Sequence, residues 1–300
     1  MRPRVSRCVI ADVSTELSTP DVDRLDDVVR DLRDWQDDSL PMQLHPGDLG
    51  WYWQLGADAM AAALRTWARD GRTLAIGFLD GPTVLRLTVA PGVWADEDLA
   101  RAVVADVSDA RRGVLPPGKV SVEAPDGTRV QGLLSEIGWD AGEPWTPLRR
   151  DLTGPVEDPG LRIDAVEPGL EPPFTAVHRS AWGSPRFTDG LWRTMTTGVP
   201  YADARCLLAR DARGVAVAGV TVWSAGPGKP GLLEPMGVHA DHRRLGYGRA
   251  ICLAAAAELR RMGSSSAQVC TESARTSAVA TYEAAGFERL PERLDRSRAA

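Results

Sequence analysis

The stretch 234-EPMGVHADHRRLGYGRAICLAAAAELRRMG-263 changes character three times. It opens as an apolar strand, tightens into a turn of arginine and glycine, and runs on as an alanine-rich helix. Such a turn leaves backbone N–H groups unpaired and pointing one way, at the positive end of a helix dipole. An anion, and phosphate above all, is its natural guest. Gly246 and Gly248 let the backbone approach closely, while Arg243, Arg244 and Arg249 raise the local positive potential. Two familiar nucleotide loops do not fit. There is no GxxxxGK[ST], and a dinucleotide fingerprint begun at Gly246-Tyr247-Gly248 needs glycine at 251, where Ile251 stands. Taken alone, the turn is equally a plain helix start with solvated arginines.

The surroundings read as an ordered series of elements. Upstream, helices around Phe174 to Thr197 precede three strands, "RCLLARD", "GVAVAGVTVW" and "GLLEPMGVH". Downstream come the strand "AQVCTES" and a short helix ending at Gly286-Phe287. The first half shows a similar order. Thr19 and Pro20 start a helix carrying Leu25, Val28, Val29, Leu32 and Trp35, with Asp21 and Asp23 at its positive end. A second helix is predicted over "DAMAAALRTWARDG" with Gly71 as its stop, then two strands joined at Asp80-Gly81. A helix from about Ala95, a strand "KVSVEA" and a short helix ending at Gly138-Trp139 follow. The segment "LTGPVEDPGLR" carries no period and is rich in proline and glycine, so the domain boundary is expected there. A chain of 300 residues also favours two domains.

The recurrence keeps a constant offset of 148 residues, the distance from Gly138 to Gly286. Arg249, Ala250 and Ile251 then fall opposite Arg101, Ala102 and Val103. An internal duplication is expected. Its first copy lacks the chemistry of the second: Arg86 stands opposite Glu234, Leu134 opposite Tyr282, and "ADEDLA" (95–100) opposite "RRLGYG". Asp96, Glu97 and Asp98 would repel a phosphate where the other copy attracts one.

The run "GVHADHRRLGYGRA" followed by "TYEAAGFE" resembles the GNAT acetyltransferase superfamily, whose signature is R/Q-x-x-G-x-G/A with a tyrosine ahead of a GF. The resemblance is specific in the second half and faint in the first, and the tandem plan is distantly similar to that of mycothiol synthase. It implies an α/β fold with a mixed α+β sheet: two tandem GNAT-like domains, each a central, mostly antiparallel sheet flanked by helices. Residues 1–153 would be a degenerate, non-catalytic domain and 160–300 the catalytic one. Arg243, Arg244, Leu245, Gly246, Tyr247 and Gly248, with Arg249, would wrap the pyrophosphate of acetyl-CoA, and the strand through Met236, Gly237 and Val238 would splay from its neighbour to admit the pantetheine arm. Tyr282 falls at the family's general-acid position. Many members carry asparagine at the start of the last helix, where this chain has Arg275. The tail "ERLPERLDRSRAA" is short and charged for a closing strand, and it leaves open how the second sheet finishes.

Acetyl transfer to an amine needs a base, oxyanion donors and a proton for the leaving thiolate. Alternation along the strand sets Glu234 on one face with Met236 and Val238, making it a candidate base; a structural hydrogen-bonding glutamate is the alternative. Pro235 marks a bulge. The amides of Met236 and Val238 are candidate donors. His178, Trp182, Arg186, Phe187, Trp192 and Tyr201 form an aromatic group with one cation, suited to an acceptor with an apolar or planar part, or else to a core.

Composition excludes other classes. Formal charge is −6 with both signs interleaved, which argues against nucleic-acid and membrane partners. Cys8, Cys206, Cys252 and Cys270 form no CxxC pair, so no metal site is expected and the thiols read as reduced. No apolar run spans a membrane and the N-terminus lacks the centre of a signal peptide, so a cytoplasmic monomer or homodimer is expected. The reading reached is an N-acetyltransferase acting on a small-molecule amine, with a protein lysine or N-terminal acetyltransferase, or a non-catalytic acyl-CoA-binding protein, as alternatives.

Overall fold

The computed structural model describes residues 14–299. Cys8 and the N-terminal stretch read above for a signal peptide lie outside the described residues. The first half runs β1 (Glu16–Ser18), α1 (Leu25–Trp35), α2 (Pro46–Tyr52), α3 (Ala57–Ala63), β2 (Leu64–Arg69), β3 (Arg72–Leu79), β4 (Val84–Val89), α4 (Glu97–Ser108), β5 (Val120–Glu123), α5 (Arg129–Glu136) and β6 (Asp140–Asp151). The second runs β7 (Arg162–Ala165), α6 (Glu171–Trp182), α7 (Asp189–Met195), β8 (Ala204–Arg210), β9 (Ala216–Ser224), β10 (Gly231–Val238), α8 (Tyr247–Arg261), β11 (Ser266–Glu272), α9 (Thr276–Ala284), β12 (Glu288–Arg289) and β13 (Arg293–Arg298).

The duplication is visible in the pairing. In each half four consecutive strands pair antiparallel and the fourth then pairs parallel with the fifth. The 148-residue offset carries α5 to 277–284, against the observed Thr276–Ala284. Helices flank the sheet because their apolar stripes face it. In α1 the buried residues are Leu25, Val28, Val29, Leu32 and Trp35, as the spacing predicts.

The two halves share one sheet, ordered β1-β2-β3-β4-β5-β13-β6-β11-β10-β9-β8-β7, with β12 also beside β6. Its middle is a strand exchange. From the first half, β6 pairs along all of β11, from Ser266↔Asp151 to Glu272↔Trp145, and buries Leu148 in the second half's core. In return β13 enters between β5 and the first part of β6. The question left by the charged tail is thereby answered: β6 completes the second sheet, and the tail completes the first. The charges of β13 have partners there. Arg293 Nη1 lies 2.7 Å from Glu123 Oε1, and Arg298 donates to the carbonyls of Ser108 and Pro116 at 2.8 and 3.0 Å.

One expectation needs correction, and one helix was missed. The helix predicted through Gly71 stops at Ala63, and Leu64–Arg69 is a strand held between β1 and β3. Cross-strand pairing and the burial of Leu64 and Trp67 outweigh alanine-rich propensity there. Helix α2 was not predicted at all, since "PGDLGWY" lacks helix formers. It forms because Pro46 opens it and a capping box closes its first turn: His45 accepts a backbone N–H while Asp48 accepts that of His45. It docks on the second half. The Trp223 ring of β9 lies so close that a Cβ added at Gly47 or Gly50 would stand 2.5 or 2.2 Å from it.

Candidate active site

Helix α8 begins without a side-chain cap. Arg244 and Gly246 adopt left-handed backbone, with φ of 64° and 84°, and curl the chain so that the amides of residues 244–249 find no backbone partner among the described residues. A Cβ at Gly248 would stand 2.8 Å from Thr281 Cγ2, so glycine is needed where α8 crosses α9. Arg243 donates to the Ala181 carbonyl at 2.7 Å and Arg249 to that of Ala284 at 2.8 Å. Neither these two nor Arg244 has an acidic partner among the described residues. Leu245 is exposed and Tyr247 half-buried. Three arginines outside any salt bridge among the described residues thus gather at an open helix N-terminus, which suits a polyanion.

Beside this turn the sheet opens. β10 and β11 pair only at Gly231↔Ala267 and Leu232↔Gln268 and then part. On its other edge β10 stays with β9, where His239 N–H donates to Val217 O at 2.9 Å. Bonded and non-bonded pairs alternate along an antiparallel ladder. The pair Gly237↔Gly219 is therefore the next bonded one, and the N–H groups of Met236 and Val238 point away from β9 into the gap.

Glu234 stands at the bulge expected from Pro235. Two residues, Glu234 and Pro235, oppose the single Thr221 between the pairs Leu233↔Val222 and Met236↔Val220. This corrects the predicted alternation. Met236 and Val238 pack on the α8 side with Leu233, whereas Glu234 is turned to the opposite face, toward Asp48 of α2. Its carbonyl accepts the Trp223 indole N–H at 2.6 Å. Burial, and the Asp48 carboxylate beside it, push the Glu234 carboxyl up to about 8. Tyr282 is buried in the second core, edge-on to Phe287 at 6.0 Å. Burial, with Cys252 and Glu234 nearby, raises its phenol above the ordinary tyrosine range.

The aromatic group divides. His178 lies over the glycine pair: a Cβ at Gly219 would stand 3.3 Å from its Nε2, and one at Gly237 4.0 Å from its Nδ1. It is 2% exposed, neither ring nitrogen has a hydrogen-bond partner, and burial lowers its pKa to about 3. Phe187, Phe174 and Trp51 surround it. Trp182, 55% exposed, stands beside Gly237, and Arg186 is exposed on the following loop. Trp192 and Tyr201 lie apart from His178, packed edge-on in series with Trp223, and the Tyr201 hydroxyl donates to Cys206 Sγ at 3.7 Å. Cys206, Cys252 and Cys270 are free thiols.

The first half closes every equivalent feature. Asp96 caps α4 by accepting the Leu99 N–H at 2.8 Å and pairs with Arg69. β4 and β5 stay paired through Arg86↔Glu123. The sequence reading missed what this half contributes instead: Asp48 and Arg86, joined at 2.8 Å and reaching Glu234. The signal for Asp48 was present in His45-Pro46 followed by an acid at the third helical position.

Residues 170–287 match the family model of the acetyltransferase (GNAT) family. The chain carries a GNAT acetyltransferase domain. It is therefore an acyltransferase, and the GNAT domain contains the turn, the parted strands, Glu234 and Tyr282. No sequence among the curated proteins matches. Solved structures share the fold over nearly the whole chain. A GCN5-related N-acetyltransferase from Sphaerobacter thermophilus is 19% identical, with TM-score 0.59 and 95% of each chain covered. A tandem GNAT protein from the clavulanic acid biosynthesis pathway is 15% identical, with TM-score 0.60, covering 95% of this chain and 98% of that one. A GNAT-family acetyltransferase from Colwellia psychrerythraea is 13% identical, with TM-score 0.60, over 95% and 100%. Among the described residues no helix is long and apolar enough to cross a membrane.

Proposed function

We propose that the chain moves an acetyl group from acetyl-CoA to the primary amine of a small molecule, by direct attack with both substrates bound. The observation that carries this reading is the parting of β10 from β11 directly beside an uncapped helix N-terminus. Amides 244–249 and Arg243, Arg244 and Arg249 would hold the donor's pyrophosphate. The N–H groups of Met236 and Val238, on either side of Gly237, would take the pantetheine arm and the thioester oxygen.

In the reaction the amine nitrogen bonds to the thioester carbon and the carbon–sulfur bond breaks. Glu234 takes the amine proton, directly or through one water, and Tyr282 gives a proton to the departing sulfur. The upward shifts suit both roles: a phenol held protonated can act as an acid, and a carboxyl near 8 is a base matched to neutral and mildly alkaline pH. His178, Trp182 and Phe187 would line the acceptor side with Arg186 at its rim, and Trp192 and Tyr201 would support it from behind. Helix α2 covers the sheet face beside Glu234, which favours a small molecule over a folded protein surface. In this division of labour residues 1–153 are non-catalytic and 160–300 hold the chemistry.

Calorimetry with CoA tests the reading. One strong site per chain is expected, abolished by Gly246→Glu and unaffected by Asp96→Asn; two equal sites, or binding that survives Gly246→Glu, would refute it.

A further inference from the structure

Helix α2 carries a charge across the seam that packing alone does not require. The Asp48 side chain is 1% exposed. Its Oδ2 accepts the His45 N–H at 2.6 Å, and its Oδ1 lies 2.8 Å from Arg86 Nη1. Helix α2 packs across β10, where Glu234 stands, and the neighbouring Asp48 carboxylate favours the protonated form of Glu234.

Behind Arg86 the chain of charges continues. Arg86 Nε lies 3.2 Å from Glu123 Oε2, and Arg293 from β13 holds the other oxygen of Glu123. The remaining titratable groups around Glu234 are Asp80 at the end of β3, Tyr282 of α9 and Cys270 of β11. Arg86 occupies the position that the 148-residue offset sets opposite Glu234. The first copy has the opposite charge at the duplicated place, and that charge acts on its twin.

We propose that Asp48 is a positioning residue for acyl transfer: as a buried negative charge on the helix that packs against the Glu234 strand, and with Arg86 behind it, it sets the pH at which Glu234 is free to accept a proton from the amine. The proposal rests on Glu234 being the base. It gives the first half a chemical part in the reaction, although it holds neither substrate.

The infrared arm of the test needs no acceptor. In the full chain, infrared titration of the protonated carboxyl band that Glu234→Gln removes should give a midpoint near 8. Asp48→Asn keeps an oxygen for the His45 N–H and removes the neighbouring negative charge, so the midpoint should fall by about one unit or more. Arg86→Gln should raise it by a similar amount, and Arg86→Lys should restore it. A purely structural pair would not move one midpoint in opposite directions. Midpoints that stay within a few tenths of wild type, or move the same way in both variants, overturn the proposal. In parallel, Glu234→Gln should lose acetyl transfer; if it keeps its rate, the base assignment fails, and the positioning role with it, whatever the infrared midpoints show.

Discussion

If the strand exchange holds the second half together, residues 156–300 should not fold alone. That fragment lacks β6, which pairs with β11 at seven consecutive positions from Asp151 to Trp145. Net contributions of roughly 1 kcal/mol per hydrogen bond make that ladder worth several kcal/mol. The fragment also loses Leu148 and Leu152, buried at 0% and 3% in the second core, at about 2–3 kcal/mol each. The total is on the order of 10 kcal/mol, comparable with the whole stability of an ordinary domain. In addition β13 would be left without β5 and β6. Expression of 156–300 should yield insoluble or non-cooperatively melting protein by circular dichroism and size exclusion. Residues 139–300, which regain β6, should fold measurably better. A soluble, monomeric 156–300 with a cooperative melt close to that of the full chain would refute the reasoning.

With an acceptor in hand, Tyr282→Phe should lower kcat by about 10²- to 10⁴-fold with CoA affinity nearly intact, as read by initial rates and calorimetry. Gly50→Ala forces a methyl to within 2.2 Å of the buried Trp223 ring, so thermal unfolding should show a loss of about 1–3 kcal/mol. Activity should fall with it, because Trp223 holds the Glu234 carbonyl. Burial depresses His178 to about 3 and His45 to about 4, so the folded state binds fewer protons than the unfolded one below the ordinary histidine value. Stability is then present above pH 6.5 and lost as pH falls toward 3–4, by a few kcal/mol for each group; denaturant melts of His178→Phe should show a flatter acid limb than wild type.

Much of this was readable in the sequence, for physical reasons. The turn at Arg243 to Gly248 declares itself because only glycine and exposed cations serve an open helix start, and the strands of the second half are long enough to display their apolar residues. Local patterns fail where a distant partner decides. "LRTWAR" looks helical after an alanine run and is a strand only because β1 and β3 flank it. The bulge at Pro235 was foreseen, but its effect on the facing of Glu234 depends on how many residues β9 sets opposite. The tail resembled a solvated end because the partners of its arginines, Glu123 and the carbonyls of Ser108 and Pro116, lie more than a hundred residues away. Asp48 could be read as the capping acid of a short helix but not as a site residue, for the same reason: the strand it stands beside belongs to the other half.

The exchange of strands also orders events during synthesis. β13, beginning at Arg293, follows every other element, yet it belongs between β5 and β6 of the half that leaves the ribosome first. Until it arrives, the nascent first half exposes the free edge of β5, a ready template for unintended strand pairing. That edge is only four residues long, and among them is Glu123, whose charge awaits Arg293. A short, charged edge is a poor seed for aggregation, so the early half can wait, unfinished, for the strand that closes it.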